Sequence, residues 1–192
     1  MNPNMACNYD EDCRSELING KIIMMSPRPV FNHVTVASNI YRIFANYLKG
    51  KSCTPFDDGF DLYLTEKDHF VPDAMVVCDP NKIKYNGVHG APDLVVEVLS
   101  PSTMKNDKGY KKDVYEQCGV LEYWLVDVNN KSVEQYLLQD GKFVLNDIYV
   151  IQPDYVLDDM SEAEKAELVW DFKCSLYDDL LIHLEDVFER VK

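Results

Sequence analysis

Two stretches of this chain, "FVPDAMVVCDP" (70–80) and "APDLVVEVLSP" (91–101), are nearly continuous apolar runs bounded by proline and acid. Runs of that length and β-branched content read as strands in the interior of a sheet covered on both faces. A chain with two of them has to build such a sheet and then cover it. The second run has a carboxylate, Glu97, in its middle. A charge taken out of water is tolerated only if it is paired, protonated or bound to a cation.

The flanking segments supply the cover. "ELINGKIIMM" reads as a hairpin across Asn19-Gly20, the usual two-residue turn pair. "NHVTVASNIYRIFANYLKG" places Val36, Ile40, Ile43, Phe44 and Tyr47 on one helical face and ends at Gly50. In "CTPFDDGFDLYL" residues Phe60, Leu62 and Leu64 alternate as in a strand, and "STMKNDKGYKKDVYEQCG" reads as a second helix. "EYWLVDVNNKSVEQYLL" is a strand pair turning at Asn129-Asn130, followed by the strand "GKFVLNDIYVI". Strands, helix, strands, helix, strands is the order of an α/β or α+β domain with a mixed central sheet flanked by helices.

The remainder is acidic. From position 153 onward 12 acidic residues face 4 basic ones, which is −8 of the chain's net −14. We therefore expect one domain over 1–152 and an acidic helical extension over 153–192, packed on the core or on a partner. In that extension Ser161 and Glu164 form a capping box, and "YDDLLIHLEDVFERVK" has Leu180, Leu181, Leu184, Val187 and Phe188 at helical spacing. The six cysteines are scattered without metal-ligand spacing, which favours reduced thiols over a zinc site. No apolar run reaches a membrane span and the first residues are polar, so a cytoplasmic chain with no membrane partner is expected. A net charge of −14 argues against casual nucleic-acid binding, whose affinity comes mostly from Lys and Arg.

Alternation puts Asp93, Val95, Glu97 and Leu99 on one face of their strand, and Asp73, Met75 and Val77 on one face of theirs. If the strands are neighbours, Asp73 and Glu97 converge. Two close carboxylates repel, and a divalent cation removes the conflict; magnesium is typically bound by one or two carboxylates plus water. On the second helix Lys111 falls in the middle of an apolar stripe of Tyr110, Val114, Tyr115 and Cys118. It could snorkel, neutralise Glu97 as a purely structural ion pair, or act as a catalytic ammonium.

With these residues in place, "ELINGKIIMMSPRP", "FVPDAMVVCDP", "GAPDLVVEVLSPST" and "DKGYKKDVYEQCGVLEYWLVD" together resemble the Uma-two family of restriction-endonuclease-like proteins, within the PD-(D/E)XK nuclease superfamily. The resemblance covers roughly residues 15–138. It implies a nuclease-type core and phosphodiester hydrolysis dependent on Mg2+ or Mn2+, with nucleic acid, DNA in the first place, as substrate. Residue by residue, the "PD" acid falls on Asp73 and the "ExK" acid on Glu97, the two metal ligands that the resemblance implies. Leu99 stands where the lysine of that motif would be, and the lysine has moved to Lys111. The resemblance also points to Glu16 as a further carboxylate and matches His33 to a histidine at that helix start, for which capping or packing suffices. Lys105, Lys108 and Lys112 form the one local basic cluster. A homodimer follows from family likeness and from the apolar face of the last helix.

Two other readings remain open on the same residues. In one, Asp73, Glu97 and Lys111 are a buried polar network in a catalytically silent nuclease fold used for binding or assembly. In the other, a basic partner subunit completes the enzyme and the acidic extension mimics DNA, so that removing it would raise activity.

Overall fold

The computed structural model describes residues 14–25 and 30–192. The chain opens with the expected hairpin, β1 (Ser15–Ile18) and β2 (Lys21–Met24), paired antiparallel. Asn19 and Gly20 both take positive φ, 50° and 74°, as the tight turn requires. Helix α1 (Phe31–Tyr47) buries Val36, Ile40 and Phe44, three of the five apolar positions read from the sequence, and half-buries Ile43 and Tyr47.

Strands β3 (Thr54–Asp57), β4 (Leu62–Thr65), β5 (Asp68–Phe70), β6 (Ala74–Val77), β7 (Ile83–Lys84), β8 (Gly87–His89) and β9 (Leu94–Val98) follow. A helical segment then runs from Met104 to Cys118 in three parts: α2 (Met104–Asn106), a π-helical turn (Asp107–Lys111) and α3 (Lys112–Cys118). Gly109 leaves helical values inside the π turn. Strands β10 (Glu122–Asp127), β11 (Ser132–Gln139) and β12 (Lys142–Val150) complete the part read as one domain.

The strands form two six-stranded sheets. The larger has the order β12-β11-β10-β9-β6-β3, the smaller β2-β1-β5-β4-β8-β7. In the larger sheet only the β9–β10 pair is parallel, joined across the helical segment, so the sheet is mixed as expected. The two apolar runs are its neighbouring strands β6 and β9, and all nine of their residues are buried. Alternation divides them: Ala74, Val76, Leu94, Val96 and Val98 pack with α1, whereas Met75, Val77, Val95 and Leu99 pack with the smaller sheet and α3. Trp124 and Tyr123, adjacent on β10, are fully buried on opposite faces for the same reason. Burying an apolar side chain of this size is worth on the order of 1.5–3 kcal/mol, which is why the sheet is enclosed on both sides.

The acidic segment departs from the expectation. It contains α4 (Asp154–Asp159), α5 (Glu162–Ala166), a two-stranded ribbon of β13 (Asp171–Lys173) and β14 (Leu181–His183), and the single turn α6 (Leu184–Val187). The Ser161–Glu164 capping box is present in full. The long last helix is not: Leu180, Ile182 and Leu184 are buried at a spacing of two, and a short apolar run satisfies a strand period as readily as a helical one. Phe172, Leu184, Val187 and Phe188 lie in one cluster with α1 and the larger sheet. Of the apolar face that the sequence offered to a second copy, Leu180, Leu184, Val187 and Phe188 are taken up by the chain's own core, and Leu181 is exposed. This removes one argument for a homodimer.

The cysteines also differ from the expectation of free thiols. Cys53 and Cys78 form a disulfide, because the β3–β6 register makes them the next cross-strand pair after Thr54 and Val77. Sequence spacing contains no trace of that pairing. Cys118 and Cys174 are free, and Cys7 and Cys13 lie outside the described residues. Among the described residues no helix is long and apolar enough to cross a membrane.

Candidate active site

The β6–β9 register pairs Ala74 with Val96, and one step further it sets Asp73 opposite Glu97. Asp73 lies just before β6, at the mouth of the site with 16% of its side chain exposed. Its Oδ2 accepts a hydrogen bond from the Val98 amide at 2.7 Å and lies 3.5 Å from His33 Nε2 in the first turn of α1. Glu97 is buried deeper, in the middle of β9.

Lys111 reaches Glu97 from the π turn. Its Nζ is 2.7 Å from Glu97 Oε1 and donates to Glu16 Oε1 at 2.9 Å. Glu16 comes from β1 of the smaller sheet and also accepts from the Val71 amide at 3.0 Å, which fixes its orientation. Tyr115, one turn beyond Lys111, donates its hydroxyl to Glu97 Oε1 at 2.7 Å. A third carboxylate faces the ammonium: Asp107 Oδ1 is 3.5 Å from Lys111 Nζ, buried and without a hydrogen bond. The backbone carbonyl of Asp107 is held by the Tyr123 hydroxyl at 3.0 Å. Leu99 is buried among apolar side chains, so the strand itself presents no cation.

The electrostatics follow from four acids and one lysine in a space with little water. Burial pushes the Asp73 carboxyl up to about 6, opposed chiefly by His33. Burial also holds Glu97 well above the usual carboxylate range, although Lys111 works against it, and raises Asp107. For Lys111, burial alone would lower the ammonium, but Glu97, Glu16 and Asp107 outweigh it and keep it protonated above its ordinary range. The Tyr115 hydroxyl, buried beside Glu97, is shifted far upward and remains a donor. The site therefore holds four carboxyls to one ammonium, and burial favours the protonated form of Asp73, Glu97 and Asp107.

An excess of carboxyls over cations and an all-oxygen donor set suit a hard divalent cation, which would displace the protons that burial favours. Among the described residues no three His, Cys, Asp or Glu side chains are drawn together closely enough to hold a metal unaided. Asp73 and Glu97 with water completing the sphere is the arrangement that fits magnesium.

All four residues singled out from the sequence, Asp73, Glu97, Lys111 and Glu16, meet at this point, with His33 beside Asp73. Asp107, Tyr115 and Tyr123 were not assigned there by sequence reasoning. Asp107 was within reach of it: it precedes Lys111 by four residues and shares its helical face, but a search for apolar stripes passes over an acid. Lys108 is paired with Glu134 at 2.6 Å and Lys112 lies 3.4 Å above the Tyr136 ring, so two of the three basic-cluster lysines already have partners, while Lys105 has no ion pair among the described residues.

Carboxylates on two adjacent strands of a mixed sheet with a lysine over them define the candidate site, and the fold that carries them has a solved counterpart. A crystal structure described as that of "a putative nuclease belonging to DUF820" from Anabaena variabilis is similar with a TM-score of 0.67 over 91% of this chain and 89% of that one, at 22% identity. Residues 5–165 match the Uma2 family, described as "Putative restriction endonuclease". The chain belongs to the Uma2 family. Two Synechocystis proteins are similar in sequence: uncharacterized protein slr1290, 34% identical over 54% of this chain and 54% of that protein, and uncharacterized protein sll1609, 31% identical over 64% and 71%. The chain thus spans about half the length of the first and somewhat over two thirds of the second.

Proposed function

We propose that this chain is a nuclease that hydrolyses phosphodiester bonds of nucleic acid, DNA in the first place, with Mg2+ or Mn2+ held by Asp73 and Glu97. The carrying observation is the Lys111 ammonium 2.7 Å from Glu97, on the strand next to that led by Asp73, and 2.9 Å from Glu16 of the smaller sheet. A bound divalent cation would lower the pKa of water and neutralise charge on the phosphate. The protein's own groups do the rest. The Val98 amide fixes the Asp73 carboxylate, Tyr115 fixes Glu97, and Glu16 aims Lys111. Held protonated, Lys111 serves as a fixed positive charge for the developing oxyanion rather than as a base. Lys105, exposed on the segment leading to the site, is the candidate for a phosphate contact.

A second reading has its own support: Glu97 Oε1 already takes both Lys111 and Tyr115, which would serve a silent fold acting as a binding or assembly module. A homodimer would use a surface other than the last helix, such as the β12 edge with exposed Val144, Leu145 and Ile148. Calorimetric titration of Mg2+ and Mn2+ into the native chain and Glu97→Gln separates the two readings. Binding that the variant loses, followed by plasmid cleavage that Lys111→Met abolishes, supports the nuclease. A folded native chain that binds neither ion at millimolar concentration overturns it.

A further inference from the structure

We propose that Asp107 is a positioning residue for Lys111: it is the acceptor to which the ammonium transfers when a divalent cation engages Glu97. The inference rests on the nuclease reading above and adds to it a residue outside the Asp73, Glu97, Lys111 set. An ammonium has three donors. Three carboxylates lie within 4 Å of Lys111, namely Glu97 at 2.7 Å, Glu16 at 2.9 Å and Asp107 at 3.5 Å. Glu16 Oε1 is tied to the Val71 amide and stays in place. A cation on Glu97 competes for the oxygen Lys111 uses and repels the ammonium as well. Lys111 then keeps Glu16 and needs a new partner in place of Glu97.

Asp107 Oδ1 is that partner. It is buried, makes no hydrogen bond and is less than an ångström beyond bonding distance. A buried acceptor left unsatisfied is costly and calls for an explanation. The backbone supports the motion. Asp107 and Lys111 bracket a kink between two helical pieces, and Gly109 between them departs from helical values with φ −118° and ψ −107°. The Tyr123 hydroxyl anchors the Asp107 carbonyl, so the lysine rather than the aspartate does the moving.

The test is Mg2+ titration of the native chain, Asp107→Asn and Asp107→Leu, by calorimetry and by the 15N signal of the Lys111 ammonium, with thermal melts confirming the fold. Expected is a loss of about tenfold or more in Mg2+ affinity in both variants, the usual scale for a residue that acts through a neighbour of the ligands. In the native chain the Lys111 signal should shift on saturation, and in Asp107→Asn its saturated position should differ. An Asp107 variant that folds and binds Mg2+ as tightly as the native chain overturns the inference while leaving the nuclease reading intact. So does a Lys111 signal unmoved by saturating Mg2+. A native chain that binds no Mg2+ overturns both.

Discussion

Lys111 Nζ and Glu97 Oε1 are 2.7 Å apart, and each side chain is at most 4% exposed. Breaking such a pair leaves an uncompensated buried charge, which generally costs about 3–5 kcal/mol, whereas exchanging both partners for apolar groups of similar size costs far less. Lys111→Met should therefore lower unfolding stability at pH 7 by about that amount, and the double change Glu97→Leu with Lys111→Met by clearly less than the sum of the single changes. Urea denaturation of the four proteins checks it; additive losses would mean that the pair is not coupled.

The Asp73 carboxyl gives a pH dependence of defined sign. Its folded value of about 6 lies above the ordinary 3.8, so between those values the folded chain binds more protons than the unfolded one. Stability contributed by this group is lost as pH rises from about 4 to about 6. At 1.36 kcal/mol per unit the effect is at most about 3 kcal/mol, reduced by the 16% exposure of the side chain. His33, Lys111 and Asp107 act on the same carboxyl, and Asp73 in turn acts on Glu97. Asp73→Asn should flatten the stability profile in this window and be more stable than the native chain at pH 7 without metal. Saturating Mg2+ should reverse the native slope.

The acidic segment is part of the core, so its removal should not release activity. Phe172 packs against Trp124 and Tyr149 with ring centroids 5.0 and 4.6 Å apart. Phe172→Ala should cost about 3–5 kcal/mol, and a chain ending at residue 152 should fail to give a cooperative melt. A folded, more active truncation would restore the DNA-mimic reading.

The Cys53–Cys78 bridge is open to a chemical count. Alkylation of the unfolded, unreduced protein followed by mass spectrometry should find these two cysteines blocked and Cys118 and Cys174 modified. Cys53→Ser should lower stability by about 3 kcal/mol, the usual figure for closing a loop of this size. Modification of Cys53 and Cys78 before reduction would show them to be thiols.

Much of this was legible in the sequence, for identifiable reasons. The strands β6 and β9 announced themselves because burial on both faces demands unbroken apolar runs, and alternation then fixed which side of each strand Asp73 and Glu97 occupy. Lys111 stood out because a charge in an apolar stripe is improbable without a partner. The disulfide was illegible, since it depends on strand register rather than spacing. Strand β14 is illegible because Leu180 to Phe188 fits both periods, and only packing against the core decides between them. Asp107 was missed because an acid beside a lysine on a helix usually means an exposed ion pair, and nothing local says that this one is buried.

The groups around Lys111 come from places far apart in the chain: Glu16 and Lys111 are 95 residues apart and belong to different layers. During synthesis Glu16 leaves the ribosome long before its partner exists, and until the smaller sheet docks on the larger one each of these groups is an ordinary solvated charge. The constellation is therefore a proofreader of its own assembly. A nascent, misdocked or partly melted chain has all of these side chains and none of their arrangement, which forms only when both layers are together.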